Sequence, residues 1–276
     1  MPSCAEVHSF VAVEGRRLYV AEHRPEGAIR SAALFCLPIH EEEKSVYRPM
    51  VDAARLAAER GCMSLRFHYT GTGDSSGSPL DMTVDTLVRD TLDAAQILRQ
   101  RSGVEPVTLV GVRLGAAIAL LAAERIGACA GVLLVEPVPS GRLYLSRART
   151  RKRVRRMVTA AEGGEGVADS LGAPDQPPAG GVFDFDGHPI APGLENSLAA
   201  LDLAQRTAQL PVRVEVIEIA PRDRISGSVE RLGSVLEARG ARVRVRALVA
   251  EPFWNNLGVV HIPEVCQAIA GFVAGD

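Results

Sequence analysis

Apolar positions along the chain change period in a regular way. Residues 7–13 and 17–23 both have strand character and meet at Glu14-Gly15, which predicts an N-terminal hairpin. The run Ala32-Ala33-Leu34-Phe35-Cys36-Leu37 is apolar without alternation and ends at Pro38, the pattern of a strand covered on both faces. Met50, Val51, Ala54, Ala57 and Ala58 then fit one helical face closed by Gly61, and residues 62–68 read as the next strand. Val84, Leu87, Val88, Thr91, Leu92, Ala95 and Leu98 keep a 3.6-residue period, with Asp85, Arg89, Asp90 and Asp93 on the opposite side. Residues 107–110, 114–126 and 131–135 follow as strand, buried helix and strand.

The alternation stops over residues 139–196. A basic stretch at 147–156 leads there into a Gly/Pro-rich run at 163–181. It resumes with a helix through Leu201 and Leu203 and a strand at 212–219. A helix carrying Val229, Leu232, Val235 and Leu236 comes next, then a strand at 241–249 and a last helix with Val265, Ile269 and Phe272. Arg242-Val-Arg-Val-Arg246 alternates charge with valine, as an edge strand does. This spacing predicts an α/β fold, a mostly parallel sheet with helices on both faces. The core is residues 1–138 and 197–276, and 139–196 forms a cap insertion. Ligands of such sheets bind at the carboxyl ends of the strands. The loops after Leu37, His68, Val110, Val135, Ile219 and Val249 are therefore the ones to inspect.

Composition narrows the function classes. The net charge of −2 over 276 residues gives no general reason to expect nucleic acid as a partner. Lys44 and Lys152 are the only lysines, so the positive charge is almost all arginine, a composition bias. Five cysteines without a C-x-x-C pair predict reduced thiols in a cytoplasmic protein, with Cys36 and Cys62 as inert core thiols. The start MPSCAEVHSF lacks the basic and apolar regions of a signal peptide, and no apolar stretch approaches the roughly 20 residues of a membrane span. No cofactor motif and no metal-ligand spacing is found, and none of either is expected.

Chemistry concentrates in two loops. Residues 107–120 run from an apolar strand through a sharp turn, Gly111-Val112-Arg113-Leu114-Gly115, directly into an apolar helix. This resembles the nucleophile elbow, G-x-S-x-G, of the α/β-hydrolases. Phe67-His-Tyr-Thr-Gly-Thr-Gly-Asp-Ser-Ser-Gly77, about 35 residues earlier, is similar to that family's D-Y-R-G-x-G-x-S-x-G loop. Together the two segments imply the α/β-hydrolase fold. Serines at Ser75 and Ser76 hold that loop together in such proteins, and His68 beside it reads as structural.

The middle of the elbow is Arg113. A guanidinium stays protonated and has no lone pair to attack with, so the nucleophile position holds no nucleophile. Ile219-Ala-Pro-Arg-Asp-Arg-Ile225 matches the family's acid turn and places Asp223 at the acid position. The family's histidine loop holds Glu251-Pro252-Phe253-Trp254 instead; His261, further on, is the candidate for the catalytic histidine if the lengthened loop folds it back, and otherwise a surface or helix-start histidine ahead of Pro263. Backbone N–H groups at Ile39, His40 and Leu114 would form an oxyanion-type, anion-accepting site at a helix N-terminus. His40 opens a polar loop at 40–44. Arg113 is long enough to span the gap left by the histidine, which predicts a charge-assisted Arg113–Asp223 pair that either serves a ligand or only fixes the loops.

Pro38-x-x-Glu41-Glu42 with Tyr47-Arg48-x-Met50, the Gly-Thr-Gly-Asp-Ser-Ser-Gly loop, the Arg113 elbow and Glu251-Pro-Phe-Trp254 resemble one bacterial group, the exosortase A system-associated hydrolases of the second type. That resemblance implies a setting of surface polysaccharide production and exosortase-dependent sorting. Three functions are compatible with these residues. The first is a non-catalytic protein that binds a small-molecule, acyl or anionic ligand in the vestigial site. The second is a hydrolase of ester, thioester or amide bonds with a non-standard site. The third is a scaffold for protein partners of an export or polysaccharide system.

Overall fold

The structure, a computed structural model, describes residues 4–161, 181–185, 188–256, 258 and 260–275. The Gly/Pro-rich run at 163–181 lies outside the described residues except for Gly181. The chain opens with the antiparallel hairpin β1 (Ala5–Val13) and β2 (Arg16–Arg24). It continues through β3 (Ser31–Cys36), α1 (Glu41–Glu59), β4 (Cys62–Phe67), α2 (Val84–Ser102), β5 (Val107–Val112), α3 (Leu114–Ala123) and β6 (Cys129–Val135). Between β6 and the next core strand lie α4 (Gly141–Ala161), the small hairpin β7 (Phe183–Phe185) and β8 (His188–Ile190), and α5 (Pro192–Ala199). β9 (Arg213–Ala220), α6 (Gly227–Ala238), β10 (Arg242–Val249) and α7 (Pro263–Ala274) complete the fold.

Eight strands form one sheet in the order β1-β2-β4-β3-β5-β6-β9-β10. Pairing is parallel from β4 through β10 and antiparallel at β1–β2 and β2–β4. Because side chains alternate across a strand, consecutive residues serve opposite faces. Leu34, Leu109, Val132 and Val214 pack against α2, α3 and α6. Phe35, Val110, Leu133 and Ile217 pack against α1 and α7. Burial of this kind returns about 25 cal/mol per Å² of apolar surface, which makes it the main stabilising term. The valine-and-arginine strand β10 is an edge, as its alternation predicts.

Three boundaries differ from those read in the sequence. The polar segment at 40–44, expected as a loop, is the first turn of α1. Glu41, Glu42 and Glu43 there meet the positive end of the helix dipole, while Pro49 inside α1 disguised the helical pattern upstream. The helix expected through Leu201 and Leu203 lies earlier, as α5, and a single 3-10 turn at Leu203–Gln205 follows, capped by Asp202. A core boundary at 196/197 therefore cuts α5. No helix among the described residues is long and apolar enough to cross a membrane.

The loop between β4 and α2 is held as the sequence suggested. Ser75 Oγ donates to His68 O at 2.7 Å and accepts from Tyr19 N at 2.9 Å, and Ser76 Oγ accepts from Arg17 N at 2.8 Å. His68 Nδ1 accepts the Asp74 N–H at 3.0 Å, a structural role. Burial pushes the Cys36 thiol up to about 12 and the Cys62 thiol to about 11, so neither is a ready thiolate.

Gly115 is fixed by packing. A Cβ there would stand 2.1 Å from Cys36 O and 2.6 Å from Leu37 O, so α3 touches the end of β3 directly. Gly115→Ala should destabilise the protein by about 1–3 kcal/mol in urea unfolding, as overpacked cores do. Gly227→Ala, in open space at the start of α6, should change stability by less than about 0.5 kcal/mol. Equal midpoints for the two variants would contradict the close approach of α3 to β3.

Candidate functional site

The chain turns from β5 into α3 through Arg113, with φ 57° and ψ −123°. A β-carbon in that region is strained by roughly 1–3 kcal/mol, so the surrounding structure must hold it. Arg113 N–H donates to Val135 O at 3.0 Å, and Arg113 O accepts from Ala116 N at 3.0 Å. Positive φ recurs at His40, between β3 and α1, and at Glu136, just past β6. Three of the four strained non-glycine residues among those described thus sit beyond the carboxyl ends of the adjacent central strands β3, β5 and β6; the fourth, Glu14, turns the hairpin. Strain gathered in this way marks a built site.

The Arg113 side chain lies inside the protein at 6 % exposure. Its Nε and Nη2 donate to Glu42 Oε2 at 3.3 Å and Oε1 at 3.1 Å, a two-point pair. Its Nη1 donates to Glu136 O at 3.4 Å and stands 3.9 Å from Glu136 Oε1. Above the guanidinium lies the Trp254 ring, 4.5 Å from Cζ to centroid. Glu42, 2 % exposed, also faces Arg151 Nη1 at 3.5 Å, and Arg151 in turn donates to Asn255 Oδ1 at 2.7 Å. Glu136 Oε2 accepts the Ile219 N–H at 2.8 Å, while burial raises its carboxyl above the usual range. Buried Tyr144, from α4, feels the charges of Glu42, Arg113 and Arg151.

The sequence-predicted residues are only partly brought together. The Arg113–Asp223 pair is not formed. Asp223 is exposed on the loop after β9 and has no ion pair among the described residues, whereas Arg113 is taken by Glu42. The physical reason is that α1 begins at Glu41 and so delivers a carboxylate into the elbow from the neighbouring strand end. His261 is exposed, two residues before α7, and makes no hydrogen bond or ion pair with Arg113 or Asp223. Gly115 lets Cys36 and Leu37, at the end of β3, approach α3, and Ile39, His40 and Leu114 are buried in the segments that follow β3 and β5. Among the described residues, none of their three backbone N–H groups has a hydrogen-bond acceptor.

Beside them, His40 is 8 % exposed and stacks on His188 at 5.2 Å, with Nε2 unpartnered. Burial, then the His188 charge, lowers its pKa to about 4, so it is neutral near pH 7. Burial alone raises Glu43 to about 7. Its Oε1 faces His68 Nε2 at 3.8 Å.

Chemically, the centre of this arrangement is a neutralised cation. Among the described residues, the side chains that pair with Arg113 or stack on it are two glutamates and a tryptophan, none of which offers a hydroxyl or thiol. One group of described residues converges as metal ligands would: Cys4, Glu6 and His23, on the N-terminal hairpin three to four strands away from β5. It does not fit a metal. Arg66 Nε donates to His23 Nε2 at 3.1 Å, which leaves the imidazole proton on Nδ1, the nitrogen facing Glu6.

With the elbow, the sheet order and the insertion after β6 in view, comparison with solved structures is decisive for architecture. Est1E from Butyrivibrio proteoclasticus, with ferulic acid bound, superposes with a TM-score of 0.66 at 15% identity, covering 96% of this chain and 97% of that one. The proline iminopeptidase of Mycobacterium smegmatis gives 0.61 at 14% identity, with 97% of each chain covered. An alpha-beta serine hydrolase homologue from Coxiella burnetii gives 0.57 at 14%, again with 97% of each. The fold is that of the α/β-hydrolases. At these identities the likeness concerns the scaffold alone. No family model matches the chain, and no curated protein matches it in sequence.

Glu42, Glu136, Arg151 and Trp254 were not singled out as site residues by sequence reasoning. A signal existed for the first: an arginine placed in a tight turn between buried elements requires a buried carboxylate, and Pro38-x-x-Glu41-Glu42 follows the adjacent strand. Removing one partner of such a pair strands the other. Glu42→Ala should cost about 3–5 kcal/mol in urea unfolding, and the double change Glu42→Leu with Arg113→Leu clearly less. A double variant no more stable than Glu42→Ala would show that the pair is not the source of the loss.

Glu43 gives a second test. Its folded-state pKa of about 7 lies above its ordinary 4.5, so its contribution to stability is complete below pH 4.5 and is lost as pH rises through 7. His40 has the opposite dependence, losing its contribution as pH falls from 6.5 through about 4. Since His40 is present in both proteins, the stability of wild type relative to Glu43→Gln should fall between pH 4.5 and 7. A flat difference over that window would refute the raised carboxyl.

Proposed function

We propose that this chain is a non-catalytic α/β-hydrolase-fold binding protein in which the catalytic centre has become a structural ion-pair lock. One observation carries this reading. The residue at the elbow is a buried guanidinium, held at two points by Glu42 and roofed by Trp254 where the fold's histidine loop would run. Catalysis of acyl transfer at this point needs an activated hydroxyl or thiol with a base in reach. Asp223 and His261, both exposed, give Arg113 no such partner. An anionic ligand at Arg113 would have to displace Glu42, so the arrangement favours the lock over an anion there. The N–H groups of Ile39, His40 and Leu114 remain the place for a small polar ligand.

The segments that resemble the exosortase A system-associated hydrolases also build the lock: Pro38-x-x-Glu41-Glu42 supplies the carboxylate and Glu251-Pro-Phe-Trp254 the roof. That coincidence supports a role beside surface polysaccharide production and protein export, with protein components of such a system as partners.

A second reading rests on Glu43. A partly buried carboxylate raised to about 7 is poised as a general base, which would suit a hydrolase that activates water without a covalent intermediate.

A serine-hydrolase-directed phosphonate probe, read by intact mass, and an ester and thioester panel separate the two. The lock predicts no adduct and equal, background turnover for wild type, Arg113→Ala and Glu43→Gln. A phosphonate adduct near the elbow, or turnover lost specifically in Glu43→Gln, would overturn it.

A further inference from the structure

We infer that the exposed face of α4 is a docking surface for an anionic phospholipid bilayer. Residues 141–161 contain eight arginines and lysines and no acidic residue, in a chain whose net charge is −2. α4 turns its inner face to the site through Tyr144, Leu145, Ala148 and Arg151, which fixes its orientation on the core. Arg142, Leu143, Ser146, Arg147, Thr150 and Val154 then share the outward face. Leu143 is 47 % exposed and Val154 is 54 % exposed, eleven residues apart along one strip, with Arg147 beside them.

Arg142 has no carboxylate partner among the described residues, while Arg147 is exposed and acts on Glu136 through its charge without a close ion pair. Arg142 donates only to the neutral Ala199 carbonyl at 3.0 Å, which leaves its charge uncompensated. Cations flanking an exposed aliphatic strip are the signature of a helix lying in a membrane interface: arginines meet lipid phosphates while leucine and valine enter the acyl boundary. A soluble polyanion would use the charge and ignore Leu143 and Val154.

A polar recess adjoins this face. A cleft of about 580 Å³ opens beside Arg142, lined also by Ser140, Asp202, Gln205 and Arg206. The Asp202 carboxylate there is already engaged by Ala204 N at 3.0 Å and Gln205 Nε2 at 2.7 Å, and Arg206 is paired with Glu124. Arg142 is thus an uncompensated cation at the mouth of this recess, next to an exposed leucine, and the Asp202 carboxylate, bonded only by neutral donors, keeps its own charge on the same wall.

Co-sedimentation of the full chain with vesicles of phosphatidylcholine alone, or of phosphatidylcholine mixed with phosphatidylglycerol, tests this. Binding is expected to the mixed vesicles only and to weaken with salt. Each arginine removed should cost about fivefold in partitioning, so Arg142→Ala with Arg147→Ala should lose about 25-fold. Leu143→Ser with Val154→Ser should also reduce binding while leaving the charge intact. All four positions are exposed, and unchanged thermal unfolding would confirm that the variants fold. Three results would each overturn the inference: no binding to mixed vesicles, equal binding to both compositions, or heparin binding that competes while the serine variant binds vesicles like wild type.

Discussion

A charged group placed in a dry turn must be answered by another charge, and that requirement organises one whole end of this molecule. The turn from β5 into α3 puts the Arg113 guanidinium among the strand ends of the sheet. An unpaired cation there would be untenable, because desolvation penalises the charged form by several kcal/mol and a guanidinium cannot discharge by losing its proton. Glu42 answers it from α1, at a helix N-terminus that itself favours a negative charge. α1 must therefore begin within two residues of the end of the β3 loop, and the chain accepts positive φ at His40 to achieve this. The carboxylate and the strained backbone are two parts of one solution.

The same pair ties the segment between β6 and β9 to the strand ends of the sheet. Arg151 reaches from α4 to Glu42 and to Asn255, while Ser45 Oγ donates to Asn256 O at 2.8 Å from the opposite side. The loop after β10 is thereby pinned to α1 and α4 together, and Trp254 is set over the guanidinium. One glutamate shared between two arginines leaves local positive charge, which Glu136 offsets from the end of β6. A network of this kind holds several loops in a single arrangement, and its strength depends on every member being satisfied.

How much of this was legible in the sequence follows from the range of the interactions involved. β3, α2, β5 and β10 show themselves through periods set by local geometry, and the edge position of β10 through its alternation. The elbow was legible because Gly111 and Gly115 answer to a backbone contact that side chains cannot fake. The start of α1 was hidden by three consecutive glutamates, which read as a solvated loop until the helix dipole and a buried partner are both known. Asp223 was expected to meet Arg113 because a motif fixes a position along a chain and carries no information about which carboxylate is nearer in space. Glu42 stands across 71 residues from its partner, and no short-range pattern joins them.

The glycines of the elbow also bear on the difference between scaffold and chemistry. Gly111 excludes a side chain because Ala116 Cα would lie 2.4 Å from its Cβ, and Gly115 because of the Cys36 carbonyl. Both constraints arise from helix-to-strand packing and are indifferent to what the residue between them does. An elbow can therefore keep its glycines, its positive φ and its position on the sheet after the hydroxyl is gone, since losing the nucleophile relieves none of those contacts. An arginine between them does bring its own demand, a buried counter-charge. Glu42 and the Trp254 roof meet that demand, so Arg113 is built into its surroundings as part of the fold.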